Sequence, residues 1–193
     1  MAKPTVTRRP FPLRGLLCLS GLLYLNVTGR VIFGPLLPLL ESDFSLGHGA
    51  AGSLFFFQAT GYVLGLLASG FAAWRLTHHR VIVLSAWGLG TALLALSAGW
   101  SLVTLQACLI FLGAAAGLYL PSGIATITEL AAEAHWGRAM AVHEMAPAIA
   151  FISAPLVAEM MLRLLSWRII LGTFGVALLI AGFLYARAGQ GGR

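Results

Sequence analysis

The chain has 193 residues, of which 59% are hydrophobic and 9% charged, with a mean hydropathy of +0.91. A soluble domain cannot hide that much apolar surface, whereas a bilayer solvates it, so the composition excludes an ordinary soluble enzyme. A net charge of +6 and a pI near 10.2 would suit a nucleic-acid partner, but the basic residues sort instead by side of a membrane, as set out below.

Residues 1–13 are polar, basic and broken by proline, and read as a short cytoplasmic tail. Span one is predicted from Arg14 to Leu40, long enough at about 1.5 Å per residue to cross a hydrocarbon core of about 30 Å with tilt. Its outer part, Phe33-Gly34-Pro35-Leu36-Leu37-Pro38, carries helix breakers, which membrane helices tolerate where neighbours re-satisfy the freed carbonyls. Arg8-Arg9-Pro10-Phe11 before an apolar run resembles an export signal. No small-x-small cleavage site follows before Arg30, so a retained helix is expected. Asn26-Val27-Thr28 has the form of a glycosylation sequon but lies inside the span and is discarded. Glu41, Asp43 and His48 form the first outer loop.

Span two, Gly49 to Ala73, places Gly61, Gly65, Ser69 and Ala73 at every fourth position. Such a face lets a neighbouring backbone approach closely where lipid supplies no hydrophobic drive. It ends in Arg75 and the basic run His78-His79-Arg80. Span three, Val81 to Ala98, is followed by a tight outer turn with an interfacial Trp100. Span four, Leu102 to Thr128, carries a second small-residue face at Gly113–Gly117, and 129–138 is the second cytoplasmic loop. Span five, Ala139 to Leu162, contains Ala154-Pro155. Span six, Trp167 to Ala186, ends at Arg187, and 188–193 is a glycine-rich cytoplasmic tail. On this topology Lys3, Arg8, Arg9, Arg14, Arg75, Arg80, Arg138, Arg187 and Arg193 fall on one side and Arg163 and Arg168 on the other, the inside-positive bias of an inner (plasma) membrane protein with both termini cytoplasmic. Cys18 and Cys108 lie in apolar segments without metal-ligand spacing and read as buried small hydrophobes with no disulfide role.

Several landmarks together resemble the major facilitator superfamily. Gly70-Phe71-Ala72-Ala73-Trp74-Arg75-Leu76-Thr77-His78-His79-Arg80 is similar to the family's signature loop between helices two and three, with Trp74 where Asp is usual and Thr77 where Gly is usual. Gly34-Pro35 with Pro38, Gly137-Arg138-Ala139, and Trp167-Arg168 resemble other landmarks of the family. Ala154-Pro155 stands where antiporters of the superfamily carry Gly-Pro. The resemblance implies an all-α, six-helix half bundle, residues 14–187, built as an inverted three-plus-three repeat, and transport by alternating access. A faint repeat fits this: Arg75-Leu76 with Arg80-Val81-Ile82 and Arg163-Leu164 with Arg168-Ile169-Ile170 share a spacing of five at the joins of spans two–three and five–six.

No catalytic triad, phosphate loop or metal-ligand cluster is visible, so no enzymatic activity, cofactor or metal is expected. The candidates are polar groups at membrane depth, where a buried charge faces a cavity or a partner. Arg30 is mid-span, with Asn26 four residues earlier on the same face, and Gln58 and Tyr119 at similar depth. These four are the expected substrate-binding residues, with snorkelling or helix-bridging hydrogen bonds as the plain alternative. His143 beside Glu144 could bind and release a proton, or form an ordinary hydrogen-bond cluster. The resemblance implies a cytoplasmic gate of Gly70, Arg75, Arg80 and Glu129, the last pairing with a loop arginine. Glu159 and Arg163, four apart, are expected to pair on a helix surface. The functional expectation is a proton-coupled carrier, or half-carrier, of a small solute such as an organic anion. It would work as a parallel homodimer or with a separate second half, in a lipid bilayer and without nucleic acid. A non-transporting membrane scaffold is the alternative.

Overall fold

The computed structural model describes residues 11–99 and 101–188. The cationic residues Lys3, Arg8, Arg9 and Arg193, Trp100, and nearly all of both tails lie outside the described residues. The chain forms helices α1 (Leu13–Val31), α2 (Phe33–Asp43), α3 (His48–Arg75), α4 (His78–Ser97), α5 (Leu102–Gly117), α6 (Tyr119–Leu130), α7 (Trp136–Leu162) and α8 (Trp167–Ala188), with one 3₁₀ turn at Glu133–His135. They make six helices long and apolar enough to cross a membrane: α1 with α2, α3, α4, α5 with α6, α7 and α8 are spans one to six.

Spans one and four are each broken, and at matching places. The α1–α2 junction is Ile32, three residues before Pro35; the α5–α6 junction is Leu118, three residues before Pro121. A proline donates no hydrogen bond and crowds the carbonyl four residues back, here Val31 and Gly117, the last residues of α1 and α5. The sequence signals the first break plainly; the second rests on Pro121 alone.

Packing repeats this correspondence. The most extensive helix contacts are α3 with α5, α4 with α8 and α1 with α7. Exchanging spans one, two and three for four, five and six turns the two–four contact into the five–one contact and maps three–six onto itself. That is the pattern an inverted three-plus-three repeat requires. At the α3–α5 contact the small-residue faces interlock. A Cβ on Gly61 would strike the Ile110 carbonyl, one on Gly65 that of Ala114, one on Gly113 that of Gln58 and one on Gly117 that of Tyr62. On α7 the buried face is a ladder of Ala146, Ala150, Ala154 and Ala158 turned to its neighbours, and Tyr24 and Ser153 share a hydrogen bond of 2.9 Å between α1 and α7.

At the end opposite to Leu13, Trp167 Nε1 donates to Asp43 Oδ2 at 2.8 Å, and Arg168 donates to the carbonyls of Gly99 (3.0 Å) and Ser97 (3.4 Å). This ties the ends of spans one, three and six together.

Three sequence readings are corrected. Cys18 is exposed and Cys108 half-buried, both free; an outward face in lipid needs no protein cover because acyl chains are as apolar as leucine. The second loop is far shorter than 129–138: α7 begins at Trp136, whose indole N–H caps α6 by donating to the carbonyls of Thr128 (3.1 Å) and Ala131 (3.0 Å). Glu159 and Arg163 form no ion pair; the two ion pairs among the described residues are His48–Glu41 and Arg168–Asp43.

Candidate functional site

Arg30 stands in the last turn of α1, one residue before its end. The break at Ile32 therefore brings a helix C-terminus, with its partial negative charge, to the middle of the span, which favours a cation there. The guanidinium is half-buried and lies 4.3 Å from the centroid of the Tyr62 ring on α3, while Nε is buried with no hydrogen-bond partner among the described residues. Gln58, four residues before Tyr62 on the same helix face, donates from Nε2 to the Arg30 carbonyl at 3.2 Å. The structure thus joins Arg30 and Gln58 and adds Tyr62, which the sequence reading passed over. The signal was available in the Gln58–Tyr62 spacing.

Asn26 does not share that surface. It is 3% exposed, and its Nδ2 donates to the Ala116 carbonyl (3.3 Å) and, more weakly, towards Ser85 Oγ (3.5 Å). Ala116 lies in the last turn of α5, immediately before the second break. The two amides therefore do parallel work: Gln58 supplies a donor at the break in span one, Asn26 at the break in span four. Unpartnered carbonyls at membrane depth are what such breaks must avoid. Asn26→Leu is expected to lower thermal stability by about 1–3 kcal/mol, the cost of buried polar groups left unmatched. Melting of the detergent-solubilised variant checks this, and an unchanged midpoint would mean that these bonds contribute nothing.

Tyr119, also fully enclosed, donates to the Leu19 carbonyl at 2.6 Å, eleven residues and so about 16 Å down the chain from Arg30. Its ring stacks on His143 at 6.0 Å between centroids. His143 is wholly buried, and neither ring nitrogen has a partner among the described residues. Glu144, the next residue, is exposed on α7, since a step of about 100° per residue carries it off the buried face.

The expected gate residues are spread out. Gly70 has open space around it. Arg75 rests on its own helix, over Trp74 (4.7 Å) and Phe71 (5.3 Å). Arg80 is exposed in the first turn of α4, where its backbone N–H is capped by Thr77 Oγ1. Glu129 is exposed and in neither of the two ion pairs among the described residues, so its expected pairing with a loop arginine is not formed in this structure.

Both α3 and α7 carry widely exposed apolar side chains: Phe56 (68% exposed), Leu67 (75%) and Phe71 (63%) on the first, Ile152 (70%), Leu156 (63%) and Met160 (68%) on the second. These two spans, which the internal exchange maps onto one another, are the least enclosed of the six.

The sequence matches the family described as Major Facilitator Superfamily over residues 19–190. The chain belongs to that superfamily. Sequence comparison with curated proteins gives no significant match. Among solved facilitators, the fold is similar to that of a bacterial homolog to the human lysosomal transporter Spinster, in an inward-facing and occupied conformation. The TM-score is 0.80 at 13% identity, covering 92% of this chain and 44% of that one. The unoccupied form of the same homolog gives 0.79 at 14% identity, over 92% and 43%. At such identities the likeness is one of fold, and the chain spans less than half the length of these facilitators. Among the described residues no group of three or more His, Cys, Asp or Glu is placed to hold a metal.

Proposed function

We propose that this chain is one six-helix half of a secondary transporter, working by alternating access on a small solute with a second copy of itself in parallel as the other half. The observation that carries the reading is Glu144. It is an ionisable group about two turns inside a membrane-spanning helix, yet it is exposed rather than covered by its own bundle. A carboxylate facing hydrocarbon is costly, so groups of this kind face a cavity or a partner. Glu144 lies on α7, one of the two least enclosed spans, and half-buried Arg30 carries an unsatisfied Nε. A second bundle against α3 and α7 would turn both groups towards a shared, solvated centre.

In this reading Arg30 receives an anionic group of the solute, braced by Tyr62 and Gln58. The coupled proton is taken by Glu144, the member of the His143–Glu144 pair that water can reach. Asn26 and Tyr119 support that wall from inside. Gly70, Arg75, Arg80 and Glu129 act at one mouth, which the inside-positive rule places at the cytoplasmic face of an inner membrane. A parallel pairing follows from the relation between facilitator halves, which share one orientation along the membrane normal.

Native mass spectrometry from lipid nanodiscs tests the assembly. A mass of two chains is expected. A chain that remains single in lipid, and shows no transport in vesicles until another polypeptide is added, would sink the homodimer and assign the other half elsewhere. A chain that captures a membrane protein and moves no solute in either setting would instead favour a scaffold.

A further inference from the structure

The α4–α8 pair has a groove at each end. Leu76, His79, Arg80, Val83, Leu84, Trp87 and Ala186 line the first, of about 500 Å³. The second, of about 580 Å³, is lined by Leu94, Ser97, Arg168, Ile169, Gly172, Thr173 and Val176. The internal exchange relates them: each has an arginine in the first turn of its helix, with an apolar floor one and two turns deeper. Trp87 is seven residues beyond Arg80, so about 10 Å further into the bilayer, the distance from a phosphate to the upper acyl chain.

The two arginines differ in how far their charge is already met. Arg168 donates to the carbonyls of Ser97 and Gly99, approaches Asp43 Oδ2 at 3.9 Å and stacks on Trp167 at 4.2 Å. Arg80 is exposed and belongs to neither ion pair among the described residues. Beside it, the His79 ring is fixed by stacking on Tyr185 at 4.8 Å, and Arg187, over Phe183 at 4.3 Å, ends the antiparallel α8 at the same level. The N-terminal end of α4 adds a partial positive charge there.

We propose that the groove at the start of α4 seats one anionic glycerophospholipid, its phosphate on Arg80 and an acyl chain along Val83, Leu84 and Trp87. The exchange-related groove at Arg168, already neutralised by protein, takes lipid without regard to headgroup charge. Basic pockets between spanning helices at the membrane surface suit acidic headgroups in this way. The site is independent of any second half, because α4 and α8 belong to the same chain.

The test uses the full chain in nanodiscs of equal phosphatidylglycerol and phosphatidylcholine, followed by native mass spectrometry of the lipids that remain bound. The wild type is expected to retain phosphatidylglycerol in preference. Arg80→Gln should reduce that preference about fivefold, which corresponds to about 1 kcal/mol for one basic residue near the surface, and Arg168→Gln should leave it unchanged. An unchanged preference in Arg80→Gln, an equal loss in Arg168→Gln, or no preference in the wild type would each overturn the assignment. Should Arg80→Gln fail to fold, the part of the indole fluorescence that Trp87→Phe removes is compared under quenching by dibrominated phosphatidylglycerol and phosphatidylcholine. Stronger quenching by the former supports the site; equal quenching overturns it.

Discussion

Gly113→Val is expected to remove most of the folded protein. A Cβ at this position would meet the Gln58 carbonyl, the Tyr62 nitrogen at 2.7 Å and the Gln58 carbonyl carbon at 3.1 Å, all of them main-chain atoms. No rotamer change relieves a clash with backbone, so α3 and α5 must separate. Overfilling a packed contact costs about 1–3 kcal/mol and occasionally more, and a spanning bundle has little hydrophobic drive to offset it. The separation would also pull Gln58 from the Arg30 carbonyl, so damage should spread from packing to the polar site. Gly70→Ala is the matched control. Nothing lies within 4 Å of its added carbon, and a helix gains about 1 kcal/mol from the exchange. Size-exclusion profiles after mild detergent extraction should show aggregate for the first and a single sharp peak for the second. Two equal, monodisperse peaks would show that the interlocked glycine faces are dispensable.

Arg30→Ala should leave the bundle assembled and slow anion transport about 10–100-fold, the equivalent of the 1.5–3 kcal/mol of a hydrogen bond to a charged group. The residue is half-buried at the end of α1, its ring partner Tyr62 remains packed, and Gln58 bonds to its backbone rather than its side chain. The fold should therefore survive the truncation. Arg30→Lys keeps the charge but not the planar face that lies over Tyr62, and is expected to fall between the two. Tyr62→Leu removes a cation–π contact of about 0.5–2 kcal/mol and should give a smaller loss. The assay is initial-rate uptake of small carboxylates and phosphate esters into proteoliposomes, beside a melting curve for each variant. If Arg30→Ala carries every tested solute at the wild-type rate, Arg30 is a structural cation and not a ligand.

What the sequence disclosed follows the physics that writes it. Span limits came within a few residues because hydropathy and flanking charge act locally, as at Leu102 and Leu162, which were placed correctly. The glycine faces of α3 and α5 were legible because a period of four has one structural use in lipid. The direction in which a polar side chain looks was not, since each face of a membrane helix has the same apolar surroundings until the neighbours are known. Asn26 and Tyr119 lay at a plausible depth, yet both bond inward to main-chain carbonyls, and of the adjacent His143 and Glu144 the first is buried and the second exposed. Trp136 was read as loop because its role, capping α6, depends on a return of the chain that no window of sequence contains. The Asp43–Trp167–Arg168 tie was hidden for the same reason, spanning 124 residues.

The pairing of α3 with α5 and of α1 with α7 skips neighbours, which bears on how the protein is made. α1 ends at Val31 and its partner α7 begins at Trp136. At about 5–20 residues per second, a ribosome needs roughly 5–20 s to supply the intervening stretch. During that interval Tyr24 lacks Ser153, and the first helix waits in the bilayer with one flank uncovered. The bundle therefore cannot close as successive hairpins, and its first helix acquires its principal neighbour only when the fifth span has been synthesised.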